Sequence, residues 1–466
     1  MQPTPRIIQA ILRTNLPCFV MKSFFTVSPG TNYLDNWHID LICDKLRQVE
    51  EGKINRLIIN MPPRNLKSIC VSVAWSAWLM GHKPSIKIMA SSYSQALSNK
   101  HSQDCRLILN SPWYQDLFPQ TRIKKGENQK SKFVTTDRGF RFATSTGGTA
   151  TGEGGDYLII DDPQNPSKIN SKKYRNSTIE WFEQTFATRL NNKKTGAIVL
   201  VMQRLHEDDL CGHLLKNKAE QWDLLKLPAI YEQNTNFPHP FERFSQKAGS
   251  VLHEAREDLQ TLNNLKLELG EYNFAAQYQQ EPVPNKGAMI EKAWLKYFSS
   301  DENLEFSQII QSWDTAIKAK DEHDYSVGIT IGISKNGFYL LDIIRIKAEF
   351  PELITILTNY ADKWNPHSVL IEDKASGQSL IQSLKSSIKA PIIPIKPKFD
   401  KITRFAAVTP LFEAGKIFLN YEALWRITLE QELLAFPKST HDDQVDSLSQ
   451  ALNHLQKKKS MNMRGL

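Results

Sequence analysis

A lysine followed directly by a hydroxyl residue, where an apolar strand gives way to a helix, can hold the phosphates of a nucleotide. Met61-Pro62-Pro63-Arg64-Asn65-Leu66-Lys67-Ser68 offers that arrangement. Lys67 would neutralise β- and γ-phosphate charge, Ser68 would ligate Mg²⁺, and the free N–H groups of the following helix would point at the phosphates. Both glycines of the usual phosphate loop are missing, with Met61 and Leu66 in their places, although glycine normally permits the close backbone approach. Taken alone, the segment also reads as a plain strand-to-helix turn. A second feature supports the nucleotide reading: the apolar run Tyr157–Ile160 ends in Asp161 and Asp162. There Asp161 would bind Mg²⁺ and Asp162 would polarise the attacking water. Solvation of a strand end is the alternative, and two acids directly after a buried strand make it the weaker one.

Another set of acids lies in the second half. Asp314 ends the strand candidate SQIIQSWD, Glu372 ends SVLIED, and Asp443 and Asp446 stand three apart in the helical segment HDDQVDSL. Acids at the ends of adjacent strands and an i, i+3 pair on one helix face would converge on one point. A carboxylate cluster without histidine or cysteine selects hard cations, Mg²⁺ or Mn²⁺. Two such ions activate a water on one side of a scissile phosphate and stabilise the leaving oxygen on the other, with no covalent nucleophile. Lys396, Lys398, Lys401 and Arg404, near Phe399, form a basic stretch that reads either as a sequence-independent contact to DNA phosphates or as a solvated loop.

These residues need elements to position them. Ile54–Asn60, Ile86–Ala90, Tyr157–Ile160 and Ala197–Met202 are short apolar strand candidates before polar turns, and Ser68–Met80 reads as a helix. Continuous apolar strands separated by helices predict a parallel sheet covered on both faces, an α/β nucleotide-binding domain. Between Trp222 and Gly287 the periodicity weakens, prolines recur at Pro228, Pro238, Pro240, Pro282 and Pro284, and only Glu257–Leu269 reads as a helix, as in a connection. Beyond it come strand candidates Ile309–Asp314, Ser326–Ile333, Gly337–Ile344 and Val369–Glu372, then a closing helix over Asp442–Leu455. A β-meander before alternating α and β suits a ribonuclease H-like fold. The expected division is 1–225, a connection over 226–300, 301–460, and a tail over 461–466.

Bulk properties agree. A length of 466 residues exceeds one ordinary core, which stops growing at roughly 250–300 residues. The net charge of +8 favours polyanionic partners without proving them. The longest apolar stretch, Ile69–Met80, is well short of the ~20 residues of a membrane span, and no secretory signal is read at the start. Cys18, Cys43, Cys70, Cys105 and Cys211 form no CxxC pair, so neither a zinc knuckle nor a disulfide framework is indicated. A soluble, cytoplasmic protein is expected.

With these motifs in place, the chain from about Asn60 onward resembles the large subunits of tailed-phage terminases. PPRNLKS resembles their deviant Walker A motif, Ser91–Leu109 the strand and helix after it, and Thr146–Pro163 their Walker B approach. Val201–Leu210 is similar to their coupling segment, keeping Arg204 and His206 with Leu205 for the usual tryptophan. Ser312–Ile333, Val369–Lys385 and His441–Leu452 look like the three acidic motifs of their nuclease domains, and Ala275–Gly287 like the segment leading into them.

The resemblance implies a P-loop NTPase domain of ASCE type followed by a ribonuclease H-like nuclease. It implies ATP and Mg²⁺, with Mn²⁺ possible at the nuclease, and Asp314, Glu372 and one of Asp443 and Asp446 as metal ligands. Arg64 would stabilise the transition state, and Gln203 would replace the usual hydroxyl in sensing the γ-phosphate. The implied partners are double-stranded DNA, a portal protein, a terminase small subunit and, on the portal, a pentameric ring of this chain, all in the cytoplasm of a bacterial host. Two other readings stay open: a prophage-derived DNA-binding remnant with impaired ATPase, suggested by the glycine-poor loop, and a repair helicase-nuclease, which lacks further helicase motifs.

Overall fold

Leu57, Ile58 and Ile59 have no exposure to solvent, as a short apolar run must when both faces of its sheet are covered. The computed structural model describes residues 5–149, 152–237, 244–282, 289–299, 302, 304–315, 325–373, 375–385, 387–437 and 442–462. It divides into two compact units, Met1–Pro284 and Asn285–Leu466. That division falls inside the stretch 226–300 read as a connection. Much of the stretch packs with the first unit: Leu227, Tyr231, Phe244 and Leu252 join its core, and Ala229 N–H donates to the Tyr278 carbonyl at 2.7 Å.

The sheet of the first unit contains β1 (Arg56–Asn60), β2 (Lys87–Ser92), β3 (Ile123–Asn128), β4 (Lys132–Thr135), β5 (Phe140–Ser145), β6 (Tyr157–Asp161), β7 (Ala197–Met202) and β8 (Asp223–Lys226). Their order is β3-β4-β5-β2-β6-β7-β1-β8. Pairings from β5 through β8 are parallel, and β3 and β4 extend the sheet antiparallel. β7 lies between the strand before the lysine turn and the strand before the paired acids, the order expected of an ASCE-type NTPase. Because β1, β7 and β6 run parallel, their following loops meet at one edge. A short antiparallel pair, β9 (Thr235–Asn236) and β10 (Ser245–Gln246), stands apart from the sheet.

The helix expected over Ser68–Met80 is made of two parts. Ile69–Ala74 forms a wide π-helical turn and Trp75–His82 continues as α-helix. Its residues from Val71 to Gly81 are buried all round, which explains why the sequence shows an unbroken apolar run and no amphipathic stripe.

The sheet of the second unit contains β11 (Lys296–Phe298), β12 (Gln308–Asp314), β13 (Ser326–Ile333), β14 (Phe338–Ile346), β15 (Ser368–Glu372), β16 (Ile392–Ile395) and β17 (Ile417–Asn420), ordered β11-β17-β14-β13-β12-β15-β16. β12, β13 and β14 are an antiparallel meander, while β15 and β16 add in parallel beside β12. This is the ribonuclease H-like arrangement. Helix Phe350–Trp364 connects β14 to β15; Leu353, Leu357, Tyr360 and Ala361 form its buried stripe against Trp313, Val369 and Ile371. Each fully buried aliphatic side chain contributes ~1.5–3 kcal/mol, so the stripe fixes the helix on the sheet. Helix Asp443–Asn462 buries Val445, Leu448, Leu452 and Leu455 in the other cluster.

Candidate functional site

The loop after β1 is bent by two residues with left-handed backbone, Arg64 at φ 65° and Leu66 at φ 64°. A leucine thus holds the conformation for which glycine is usually selected. Arg64 is exposed on the crest of the loop, and Lys67 is buried. Lys67 Nζ lies 3.0 Å from Asp162 Oδ2. Ser68 Oγ donates to Asp161 Oδ1 at 3.0 Å, and Ser72 Oγ, one turn along, donates to Asp161 Oδ2 at 2.5 Å. Gln203 at the end of β7 donates its backbone N–H to Asp162 Oδ1 at 3.2 Å, while its Oε1 is buried without a hydrogen-bond partner. Lys67, Ser68, Asp162 and Gln203 line a cleft of about 720 Å³, large enough for a nucleotide.

Burial pushes both Asp161 and Asp162 above the usual carboxylate range, opposed in Asp161 by the Ser72 hydrogen bond and Lys67 and in Asp162 by Lys67. His101 Nδ1 is 3.5 Å from Asp161 Oδ2. Burial, with the charge of Arg141 added, lowers this imidazole to about 4, so it is neutral at pH 7. Arg141 is fully buried and donates to the Ser72 carbonyl at 3.1 Å, placing a fixed positive charge beneath the acids. The Ser68 hydroxyl and the Asp161 carboxylate together offer hard oxygens that suit Mg²⁺.

The second set of acids is gathered by register. Trp313 pairs with Ile371 in the parallel β12–β15 ladder, which brings Asp314 and Glu372, each one residue further, to neighbouring strand ends. Ser312 and Ser447 then pin helix Asp443–Asn462 against β12. Ser312 Oγ donates to the Ser447 carbonyl at 2.9 Å, and Ser447 Oγ returns a bond to the Ser312 carbonyl at 2.8 Å. Gln450 Nε2 adds bonds to Ser312 Oγ and the Trp313 carbonyl. Asp446 consequently faces the strand ends. Arg404 reaches both sides, with Nη2 2.7 Å from Asp446 Oδ1 and Nη1 4.0 Å from Glu372 Oε1. Asp443 sits nearer Arg345, at 3.8 Å. Carboxylate oxygens are the donor type that a hard divalent cation takes.

Residues 311–455 match the family described as the terminase RNaseH-like domain. The second unit is thus similar to the terminase ribonuclease H-like domain over those residues. No curated protein matches the sequence. Among solved structures, the large terminase of a thermophilic bacteriophage is 12% identical and superimposes with a TM-score of 0.53, covering 88% of this chain and 98% of that one. The ADP complex of that phage enzyme, at 11% identity and a TM-score of 0.53, covers 93% and 98%. Its ATP-gamma-S complex, at 10% identity and a TM-score of 0.52, covers 93% and 98%. The fold of the whole chain is therefore that of a large terminase, with both the NTPase-like and the ribonuclease H-like units present.

Within the second unit the basic stretch is divided. Lys396 is exposed and 3.5 Å from Asp373, and Lys398 is exposed. Lys401 and Arg404 instead turn into the acid cluster, where Lys401 Nζ is 2.6 Å from Asp442 Oδ1 and 2.7 Å from Asp446 Oδ2. Both are held by acids of the site, and the solvated-loop reading does not describe them. Among the described residues, no three of the acids bring one oxygen each within 4.8 Å of one another.

Several contributors escape a reading of the sequence. Ser72 follows Ser68 by one helical turn, and that spacing is the signal that could find it. Arg141 and His101 carry no local signal. Glu432 is the least visible: its carboxylate accepts from Gln444 N–H at 2.8 Å, Val445 N–H at 3.0 Å and Gln444 Nε2 at 2.8 Å, capping the helix that carries Asp446. Arg204, part of the coupling segment, is held by Asp209 at 3.0 Å and does not line the cleft. The tail over 463–466, His441 and residues 316–324 lie outside the described residues.

Proposed function

We propose that this chain is the large subunit of a tailed-phage terminase, which hydrolyses ATP to drive double-stranded DNA into a procapsid and cuts the concatemer with its second unit. What carries the reading is the occurrence, in one chain, of Lys67 and Ser68 engaged with paired strand-end acids and of Asp314 and Glu372 at neighbouring strand ends with Arg404 bridging Glu372 to Asp446.

In the first unit, Lys67 binds the phosphates, Asp161 and Ser68 hold Mg²⁺, and Asp162 orients the attacking water. Arg64, on the loop crest, contacts the γ-phosphate side, and the Gln203 amide reads its presence. The large terminase of the thermophilic bacteriophage, seen with ADP and with ATP-gamma-S, supports nucleotide as the ligand. In the second unit Asp314, Glu372 and Asp446, with Asp443 at the margin, hold the divalent ions. Such ions supply a metal-activated water and stabilise the leaving oxygen of a phosphodiester. Lys396 and Lys398 contact the DNA backbone without reading sequence. A portal protein, a terminase small subunit and a pentameric ring of this chain are the proposed assembly partners.

The test is to assay the full chain for ATP hydrolysis and for duplex cleavage in Mn²⁺. Lys67→Ala should abolish the first and spare the second, and Asp314→Ala should do the reverse. ATP turnover that survives Lys67→Ala, or cleavage that survives Asp314→Ala, removes the corresponding site assignment.

A further inference from the structure

Lys401 and Arg404 sit on the same acids in different ways. The Arg404 side chain is 12% exposed, and its backbone carbonyl is held by Asn453 Nδ2 at 2.8 Å. The Lys401 side chain is 42% exposed and stands at the first residue of helix Lys401–Ala406, which Asp400 caps. Burial works against its charge, yet Asp442 and Asp446 outweigh that and hold the ammonium firmly protonated. A guanidinium locked in the core cannot leave without opening it, whereas a flexible four-carbon stem can swing outward. A divalent ion bound by Asp446 requires the same carboxylate and the same negative charge that Lys401 occupies.

We propose that Lys401 is a positioning residue that competes with the divalent ion for Asp446, so that the terminase domain loads metal as a nucleic-acid phosphate draws Lys401 away. This rests on the metal-ion reading of the acid cluster. A DNA phosphate offers the ammonium a replacement anion at the moment the carboxylate is needed by the metal. By linkage, DNA then tightens metal binding and metal tightens DNA binding by the same factor. Arg404 stays on the other Asp446 oxygen and keeps the carboxylate oriented throughout.

The experiment is Mn²⁺ titration of the full chain by calorimetry, without DNA, for wild type, Lys401→Met and Lys401→Arg. Removing one positive charge in direct contact with the ligand carboxylate should tighten Mn²⁺ binding about ten-fold in Lys401→Met. Lys401→Arg, which keeps the charge, should stay within about two-fold of wild type. A merely structural lysine predicts the opposite sign, so unchanged or weaker Mn²⁺ binding in Lys401→Met overturns the proposal. Should the methionine variant unfold, Lys401→Gln carries the same expectation and the same overturning result. In a second arm, a short duplex should tighten Mn²⁺ binding to wild type and have a smaller effect on Lys401→Met; equal coupling in both overturns the DNA-linked part. Failure of wild type and every variant to bind Mn²⁺ would instead remove the metal reading itself.

Discussion

Lys67 Nζ and Asp162 Oδ2 lie 3.0 Å apart across the cleft, so the lysine of the loop after β1 and the acid that follows β6 neutralise each other. A nucleotide must take Lys67 from Asp162 in order to bind. Asp162→Asn should therefore lower ATP turnover by about 10²–10⁴ through loss of the water-orienting carboxylate, while nucleotide binds as tightly as before or more tightly. Fluorescent-nucleotide titration beside a phosphate-release assay separates the two effects; weakened binding in this variant would show that the pair supports the site instead of restraining it.

Leu66 holds φ 64°, and left-handed backbone costs a residue with a side chain ~1–2 kcal/mol. Leu66→Gly relieves that strain but gives up packing against the first core, where Leu66 is partly buried. Because the backbone already has the required shape, turnover should stay within about three-fold of wild type. A rise of ten-fold or more in kcat would favour the impaired-remnant reading.

Asp446 and Asp443 differ in placement. Asp446 is buried beside Arg404 and Lys401, whereas Asp443 is turned toward Arg345. Asp446→Asn should cut Mn²⁺-dependent cleavage by more than about a hundred-fold, and Asp443→Asn by much less. Equal losses in a nicking assay would make both direct ligands.

Glu432 accepts three hydrogen bonds from Gln444 and Val445. Glu432→Ala strands buried N–H groups at the start of the helix, costing ~1–3 kcal/mol. Urea unfolding should show a lowered midpoint for the unit that carries this helix, with cleavage impaired in parallel; an unchanged midpoint would mean the cap is dispensable.

Burial lowers His101 and His206 to about 4. Both are depressed in the folded state relative to the unfolded chain, so the unfolded state binds more protons between pH 6.5 and about 4. Their contribution is complete above pH 6.5 and is lost as pH falls through that window, by ~1.4 kcal/mol per pH unit for each histidine. Urea midpoints at pH 7 and pH 5 should fall accordingly, and His101→Gln should flatten the slope. An identical slope in that variant would mean His101 does not report the folded state.

The strands that carry the site residues were legible because apolar runs of the right length end in chemically committed residues: Asn60 before the lysine turn, Asp161, Asp314 and Glu372. Those strands begin or end within a residue or two of the expectations, whereas β3, β4, β5, β8, β11, β16 and β17 were not read from the sequence. The missing glycines were legible too, but their consequence was not, since sequence gives no φ angle and Leu66 adopts one that its side chain disfavours. The basic stretch illustrates the limit: Lys396, Lys398, Lys401 and Arg404 look alike in sequence and separate only when the helix Lys401–Ala406 turns two of them inward.

By itself the sequence determined which residues carry charge, hydroxyl or carboxylate at element ends, because alternation and apolar run length are local properties of the chain. Only the tertiary structure decided that Asp446 rather than Asp443 faces Glu372, that Glu432 caps the helix bearing it, and that Lys401 rests on its carboxylate. Those relations depend on strand register and on the docking of a helix far along the chain, where free energy comes from burial and hydrogen bonds between segments that no local pattern encodes.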